Sequence, residues 1–305
     1  MLKDKILKRK SGILTYGITP PKAGLPEEKT REIAARQVER IRELEIDALI
    51  LYDIQEEKER VSEARPFPFM KTLDPGFYSR TYLDELKMPH IVYRCVGKYH
   101  PDELESWMAE SRDQPVCTVF VGAASTRQQV SLSLPQAYEM AARHRHRVVL
   151  GGVVIPERHS TKLDEHKRVM DKMTHGCTYF VSQAVYNVEA CKNFLSDYYY
   201  SCQEKEINPA PIVLTLTPCG SLKTLTFMKW LGVSIPRWLE NELMHCADIL
   251  ERSVHLSREA FIELQAFGAE KGIPIGCNVE SVSVNRVEIE ASLQLARDIR
   301  KLMAE

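Results

Sequence analysis

Residues 148–154 read Val148-Val-Leu-Gly-Gly-Val-Val154, an unbroken apolar run with no polar face. Such a run is typical of a strand in a parallel sheet, because helices cover both faces of that sheet. Similar runs recur along the chain between longer helical patterns, at 13–18, 47–52, 90–96, 116–121, 148–154, 178–182, 212–216 and 275–282. Eight strand–helix repeats predict an α/β protein with a (β/α)8 TIM barrel, and a doubly wound open sheet is the alternative.

Several helices have predictable ends. A capping signal and a terminating glycine bracket three of them, namely Thr161–Asp164 with Gly176, Ser221 with Gly232, and Ser257 with Gly272. The last helix carries one apolar stripe, made of Val287, Ala291, Leu295, Ile299 and Leu302. A stripe of this kind is expected of a helix that packs on a barrel.

Length and composition indicate one globular domain over residues 1–305, with residues 1–11 as a basic N-terminal extension. The 41 basic and 42 acidic residues give a net charge of -1, which argues against a general nucleic-acid binder. No apolar run reaches the roughly 18 residues of a membrane span. The eight cysteines form no C-x-x-C pair, so we expect reduced thiols, no metal site and a cytoplasmic location.

In a barrel, functional residues collect where the strands end. The loops at these points contain no Gly-rich nucleotide motif, no H-E-x-x-H and no G-x-S-x-G. Residues 60–79 follow the second strand and are predicted to form either a lid over the site or a surface loop. Gln183 ends an apolar run, where its amide can bind a planar heterocycle or a loop backbone. Arg286 can clamp an anion or pair with Glu288 or Glu290.

The chain resembles the methylenetetrahydrofolate reductase family from about residue 12 to residue 302. The most specific match is Lys172-Met-Thr-His-Gly-Cys-Thr-Tyr-Phe-Val-Ser-Gln183, which resembles the family's Lys-x-x-x-Gly-Ala and Ile-Thr-Gln. Further matches occur in the family's order: Ile18-Thr-Pro-Pro-Lys22, Pro89-His90-Ile, Pro156-Glu-Arg-His159, Gly232-Val-Ser-Ile-Pro-x-Trp238 and Val284-Asn-Arg286.

This resemblance implies an oxidoreductase in which NAD(P)H reduces FAD, and the flavin reduces 5,10-methylenetetrahydrofolate to 5-methyltetrahydrofolate. It places Gln183 on the pterin and Arg286 near the folate or the nicotinamide. It also implies six positions in contact with FAD: Tyr52, His90, Gly122, Ala137, His159 and Lys172. Lys172 is expected at the pyrophosphate. For partners other than the folate, the sequence leaves two alternatives open, a homo-oligomer or a partner subunit.

Two departures from the family pattern affect the chemistry. The family's general acid, a Glu three residues before the Pro-Pro pair, is Gly17 here, and the flavin-facing Asp is Ala123. Since ring opening needs a proton on the departing nitrogen, another acid must act, and Glu280 is the candidate, with Glu56 and Glu57 as others. Two alternatives to the reductase remain: a barrel that performs other one-carbon chemistry, such as methyl transfer, without flavin, and a non-catalytic folate-binding or partner protein.

Overall fold

Eight parallel strands close into a barrel in sequence order, so the (β/α)8 prediction is confirmed. The structure, a computed structural model, describes residues 1–56, 65–109, 116–123, 130–144 and 148–304. The strands are β1 Leu14–Ile18, β2 Ala48–Leu51, β3 His90–Cys95, β4 Val116–Val121, β5 Val148–Val154, β6 Tyr179–Ala184, β7 Ile212–Leu216 and β8 Ile275–Glu280.

Helices surround the barrel and cover the outer faces of the strands. They are α1 Leu2–Leu7, α2 Glu27–Arg42, α3 Pro75–Tyr82, α4 Pro101–Ala109, α5 Leu134–Arg143, α6 Pro156–Lys162, α7 Glu165–Thr174, α8 Val188–Glu204, α9 Leu222–Trp230, α10 Arg237–His245, α11 Ile249–Glu270 and α12 Arg286–Leu302. In the described part of the chain, none of these helices has the length and apolar character needed to cross a bilayer.

The predicted helix ends are more accurate than the predicted starts. Gly176, Gly232 and Gly272 all have positive φ, as residues that terminate helices often do. The Ser221 hydroxyl accepts from the Thr224 amide and caps α9 as predicted. The other two starts are wrong, because residues 161 and 162 end α6 before α7 begins at 165, and residue 257 lies inside α11.

The apolar stripe predicted for the last helix is displaced in α12. Leu295 and Ile299 are buried as expected, whereas Val287 is 61% exposed. Ser292, Leu293 and Ala296 are buried in its place, so the helix rests on the barrel along a neighbouring stripe.

The barrel interior is filled from its amino-terminal end by apolar side chains. The buried cluster consists of Leu2, Ile6, Ile13, Ala48, Ile50, Ile91, Tyr93, Cys117, Val119, Val149, Tyr179, Val181 and Val213. A second and larger core lies between the strands and the surrounding helices. The interior is therefore packed solid at this end, and only the carboxyl-terminal end can admit a ligand.

The basic segment before β1 contributes to this interior. Residues 2–7 form α1, in which Leu2 and Ile6 are 2% and 1% exposed and pack in the barrel cluster. Lys5 fixes the helix through an ion pair of 2.7 Å to Asp47, at the start of β2. The lysines that make the segment basic lie on its outer side, while its apolar residues seal the barrel.

We expect Ile6→Ala to lower the free energy of unfolding by about 2–5 kcal/mol, because it leaves a cavity among rigid barrel side chains. The measurement is urea denaturation followed by circular dichroism. Lys3→Ala, on the exposed side of the same helix, is the matched control and should change stability by less than about 0.5 kcal/mol. Equal stabilities for the two variants would contradict a sealing role for α1.

Candidate functional site

The carboxyl-terminal mouth of the barrel collects side chains from several strands. Tyr52 follows β2, Val121 ends β4, Val153 lies near the end of β5, and Gln183 and Glu280 lie at the ends of β6 and β8. All five are partly exposed, in contrast to the buried residues deeper in the same strands. Solvent and small ligands can therefore reach this end of the barrel.

A chain of hydrogen bonds runs from the barrel interior to Glu280. The Thr15 hydroxyl donates to Asn278 Oδ1 at 3.0 Å, and Asn278 Nδ2 donates to the Tyr52 hydroxyl at 2.8 Å. Burial and the neighbouring Glu280 raise the pKa of Tyr52 well above its usual value, so Tyr52 keeps its proton. The Tyr52 hydroxyl then donates to the Glu280 carboxyl. This chain fixes the position of one acid at the mouth.

Burial raises the pKa of the Glu280 carboxyl to about 7, and the bond from Tyr52 opposes this shift only in part. A substantial fraction of Glu280 therefore carries a proton at neutral pH. A carboxyl with a pKa near the operating pH is suited to donate a proton in one step and regain it in the next.

Gly17 makes room for this arrangement. It is the register partner of Glu280 across the β1–β8 pair, so the two positions lie side by side at the mouth. A Cβ atom on Gly17 would lie 2.7 Å from Tyr52 Cε2 and 2.9 Å from the Tyr52 hydroxyl. The Tyr52 ring thus occupies the space next to the strand position where the family acid would start.

Gln183 lies where the pairing of β6 with β7 is irregular, between Val181 and Ala184. Its Nε2 donates to the Leu231 carbonyl at 2.8 Å, which fixes the amide. Its Oε1 has no hydrogen-bond partner within the described ranges, so it can accept from a ligand N–H. The Thr217 hydroxyl, just after β7, is buried and also lacks a partner there. Gln183 Oε1 is therefore the group here that can accept from a polar heterocycle.

Residues 65–79, the described part of the predicted lid segment, pack beside this mouth. Leu73 donates to the Pro21 carbonyl at 2.9 Å, which joins the segment to the loop after β1. The Arg65 guanidinium lies 5.0 Å from the Trp230 ring centroid on α9, after β7. The segment therefore contacts elements that follow β1 and β7. Residues 57–64, including Glu57, lie outside the described ranges, and the lid role stays a prediction.

Two of the six residues predicted to contact FAD lie at the mouth. They are Tyr52, described above, and Gly122, whose carbonyl accepts from Gln55 at 3.1 Å. Ala123, where the family has an Asp, follows and is exposed. At these two positions a flavin would meet the Tyr52 hydroxyl, which already bonds to protein, and the backbone of Gly122.

A third, Lys172, reaches the end of β5 at the mouth, and the remaining three lie elsewhere. His90 begins β3 at the amino-terminal end of the barrel, where it bonds Ser79 at 2.6 Å, and burial lowers its pKa to about 4. Ala137 is fully buried in the outer core. His159 is buried against α8, and the Lys172 ammonium donates to the Val153 carbonyl. Burial lowers the pKa of Lys172.

Of the polar side chains at these positions, the Tyr52 hydroxyl and the Lys172 ammonium bond to protein, whereas His90 Nε2 and His159 Nδ1 are buried without a hydrogen-bond partner among the described residues. FAD binding at these positions stays a prediction. The buried Glu165 carboxylate, which accepts from the Ile155 amide at 2.9 Å, also places a negative charge near Lys172. Arg158 and Arg168 lie 3.3 and 3.9 Å from the same carboxylate, so the charge around Lys172 does not exclude an anion.

Arg286 is the exposed first residue of α12, after the loop that follows β8. It does not pair with the two acids that the sequence offered as partners. Glu288 accepts from the Gly220 amide and the Thr224 hydroxyl, and Glu290 pairs with Arg40 at 3.3 Å. Arg286 is therefore a cation on the rim of the mouth that can meet an anionic ligand.

The sequence analysis missed Thr15 and Asn278, which support Glu280 from inside the barrel. The available signal was a polar residue at an inward position of an apolar strand run. It could not reveal the connection, because Thr15 and Asn278 are 263 positions apart in the chain.

Comparisons with known proteins agree with the resemblance. The family model for methylenetetrahydrofolate reductase matches residues 151–274, which include Gln183 and Lys172. No curated protein matches the sequence. A protein from Clostridium thermocellum, described as binding two copies of 5-methyl-5,6,7,8-tetrahydrofolic acid, is 55% identical with a TM-score of 0.89. The alignment covers 99% of this chain and all of that one.

A more distant structure is dihydropteroate synthase from Xanthomonas albilineans, with 11% identity, a TM-score of 0.47 and coverage of 99% and 98% of the two chains. At that level the similarity carries no functional argument.

Proposed function

The chain belongs to the methylenetetrahydrofolate reductase family, and from this we propose that its barrel mouth binds a reduced folate and reduces the one-carbon unit of 5,10-methylenetetrahydrofolate. The observation that carries the proposal is the Glu280 carboxyl, held at the mouth by Tyr52 beside Gly17. The acid that the family has on β1 is thereby replaced by an acid on the adjacent strand, β8.

In the proposed reaction, the bond between the methylene carbon and N10 of the folate breaks, and N10 takes the proton of Glu280. Hydride adds to the resulting N5 iminium carbon and leaves a methyl group on N5. The Glu280 carboxylate then regains a proton from water. A positioned acid contributes about 10²–10⁴-fold to such a step.

Other residues at the mouth have binding roles in this proposal. Gln183 Oε1 accepts a hydrogen bond from a pterin N–H. The Arg286 guanidinium pairs with a carboxylate of the glutamate tail or contacts the nicotinamide substrate. The two electrons come from NAD(P)H. The family resemblance implies FAD as their carrier, which would pass the hydride from NAD(P)H to the folate when it is bound.

A second candidate is folate binding with other one-carbon chemistry, such as methyl transfer, and without flavin. The Clostridium thermocellum protein binds the methylated folate, which would be the substrate of a methyl transfer and is also the product of the reductase. Both candidates need the same pterin site, and they differ in whether NAD(P)H is consumed.

The first experiment is a visible spectrum of the purified protein, followed by calorimetric titration with 5-methyltetrahydrofolate and an assay for NAD(P)H oxidation with 5,10-methylenetetrahydrofolate. We expect flavin absorption at about one per chain, binding of the folate and oxidation of NAD(P)H. Binding without oxidation, or a colourless protein that binds the folate, would favour the second candidate. Absence of folate binding would contradict both candidates.

Gln183→Ala is expected to weaken binding of 5-methyltetrahydrofolate by about 10–100-fold, since a ligand N–H loses its buried acceptor. The same titration measures this change. Gln203→Ala, at an exposed position of α8, is the matched control and should bind as the unaltered protein does. Equal affinities for the two variants would remove Gln183 from the site.

A further inference from the structure

Three side chains from three consecutive helices meet on the outer layer of the barrel. They are His159 on α6, His166 on α7 and Asp197 on α8. One nitrogen of each histidine and one carboxylate oxygen all lie within 4.8 Å of one another. His159 Nε2 is 3.0 Å from Asp197 Oδ2, and the imidazole ring centroids are 5.1 Å apart.

The two histidines are buried with unused nitrogen atoms. His159 is 1% exposed and His166 is 8% exposed, and the Nδ1 atom of each is buried without a hydrogen-bond partner. An unpaired polar atom in the protein interior costs free energy, so two such atoms in contacting rings call for a partner. A bound cation is a partner that neutral imidazole nitrogens accept.

The site can be reached from solvent. His166 and Asp197 line a cleft of about 600 Å³, together with Met170, Tyr200 and Glu204. Asp197 is half exposed, so its carboxylate can move toward the histidines without disturbing the core. An ion can therefore enter from the cleft and contact buried ligands.

We propose that His159, His166 and Asp197 bind a divalent transition-metal ion, with Zn²⁺ as the best-suited ion. Imidazole nitrogens and a carboxylate are ligands that Zn²⁺ accepts, at about 2.0–2.2 Å. Tetrahedral geometry with these bonds sets ligand atoms about 3.3 Å apart. The observed 3.0 Å pair already meets this spacing, and a movement of about 1.5 Å at most brings the third atom to it.

Three protein ligands leave the fourth position to water or to an anion in the cleft. The ion would join α6, α7 and α8, and it would lie outside the barrel, separate from Glu280 and Gln183. A simple ion pair between His159 and Asp197 is the competing explanation. That pair joins only two helices and leaves His166 without a polar partner in the described chain, so it does not account for His166.

The sequence analysis predicted no metal site and placed His159 on a flavin. The three ligands are separated by 7 and 31 positions, as their residue numbers show, and follow no metal-binding motif. Only the packing of α8 against α6 and α7 brings Asp197 to the histidines.

The test is a titration of metal-free protein with Zn²⁺ in competition with a chromophoric chelator, and the visible spectrum of the Co²⁺ form. We expect one ion per chain, a four-coordinate Co²⁺ spectrum and a higher Tm with Zn²⁺. Asp197→Asn and His166→Gln should each weaken binding at least tenfold. Both positions border the cleft, and circular dichroism verifies that the variants fold.

His255→Gln is the matched control, because His255 forms an exposed pair with Glu259 at 3.2 Å on α11. It should leave Zn²⁺ affinity unchanged. The proposal is overturned if the unaltered protein retains no Zn²⁺, or if either cleft variant binds it as tightly as the control.

Discussion

Glu280→Gln is expected to lower kcat/KM for folate reduction by about 10²–10⁴-fold while the protein remains folded. Glutamine keeps the size of the side chain and can still bond the Tyr52 hydroxyl, but it has no proton to give to the departing nitrogen. The loss should therefore appear in turnover and only weakly in folate affinity. Steady-state kinetics and calorimetric titration of the same preparation separate the two effects.

Glu56→Gln is the matched control for this variant. Glu56 follows β2, is exposed, and is another acid that the sequence offers for the role. We expect a change of less than about threefold, because Glu56 is exposed and is not part of the hydrogen-bond chain that positions Glu280. A large loss in Glu56→Gln with normal turnover in Glu280→Gln would assign the acid to β2.

The pKa of Glu280 also predicts a pH dependence. With a folded pKa of about 7, the acid is protonated below this pH, so kcat/KM should fall about tenfold per pH unit above it. Because the unfolded pKa is near 4.5, the contribution of Glu280 to stability declines as pH rises from about 4.5 to about 7. Both trends should disappear in Glu280→Gln, and a variant that keeps the alkaline decline would indicate another group.

Gly17→Ala is expected to reduce kcat/KM by about 10²-fold, although it adds only a methyl group. The new Cβ would lie 2.7 Å from Tyr52 Cε2, so the ring must move and carry Glu280 away from its position. Displacements of about 1 Å in a positioned catalytic group have effects of this size. Kinetics and a crystal structure of the variant would measure both the loss and the movement of the ring.

A second substitution at Gly17 tests whether the family acid can be restored. Gly17→Glu combined with Glu280→Gln returns a carboxyl to β1, yet we expect it to stay inactive, because its Cβ meets the same Tyr52 ring. Recovery of activity would show that Tyr52 yields easily, and it would weaken the prediction for Gly17→Ala.

The sequence predicted the barrel well because most of the strands are largely apolar on both faces. This property is local, so the eight runs could be found one at a time, and each matches an observed strand to within a few residues. The contacts of several polar residues could not be predicted, because they depend on distant parts of the chain. The resemblance placed His159 on a flavin, which stays a prediction, and no local pattern reveals its contacts with α7 and α8.

The candidate site was predicted in part for the same reason. Gln183 and Glu280 end apolar runs, which identifies the strand ends and hence the mouth. The resemblance also placed His90 in contact with the flavin, although His90 begins its strand and therefore lies at the opposite end of the barrel. Side-chain type alone does not distinguish the two ends of a strand, whereas the direction of the chain through the run does.

The pairing of β1 with β8 has a consequence for synthesis. Leu14 of β1 and Cys277 of β8 can pair only after the chain between them has been synthesised. Until then α1, which packs in the same barrel interior, also lacks part of its packing. At about 5–20 residues per second, the ribosome needs on the order of tens of seconds to make the intervening segment. During that time the apolar first residues are exposed on the nascent polypeptide, so this protein should depend on chaperones that bind early-emerging hydrophobic segments.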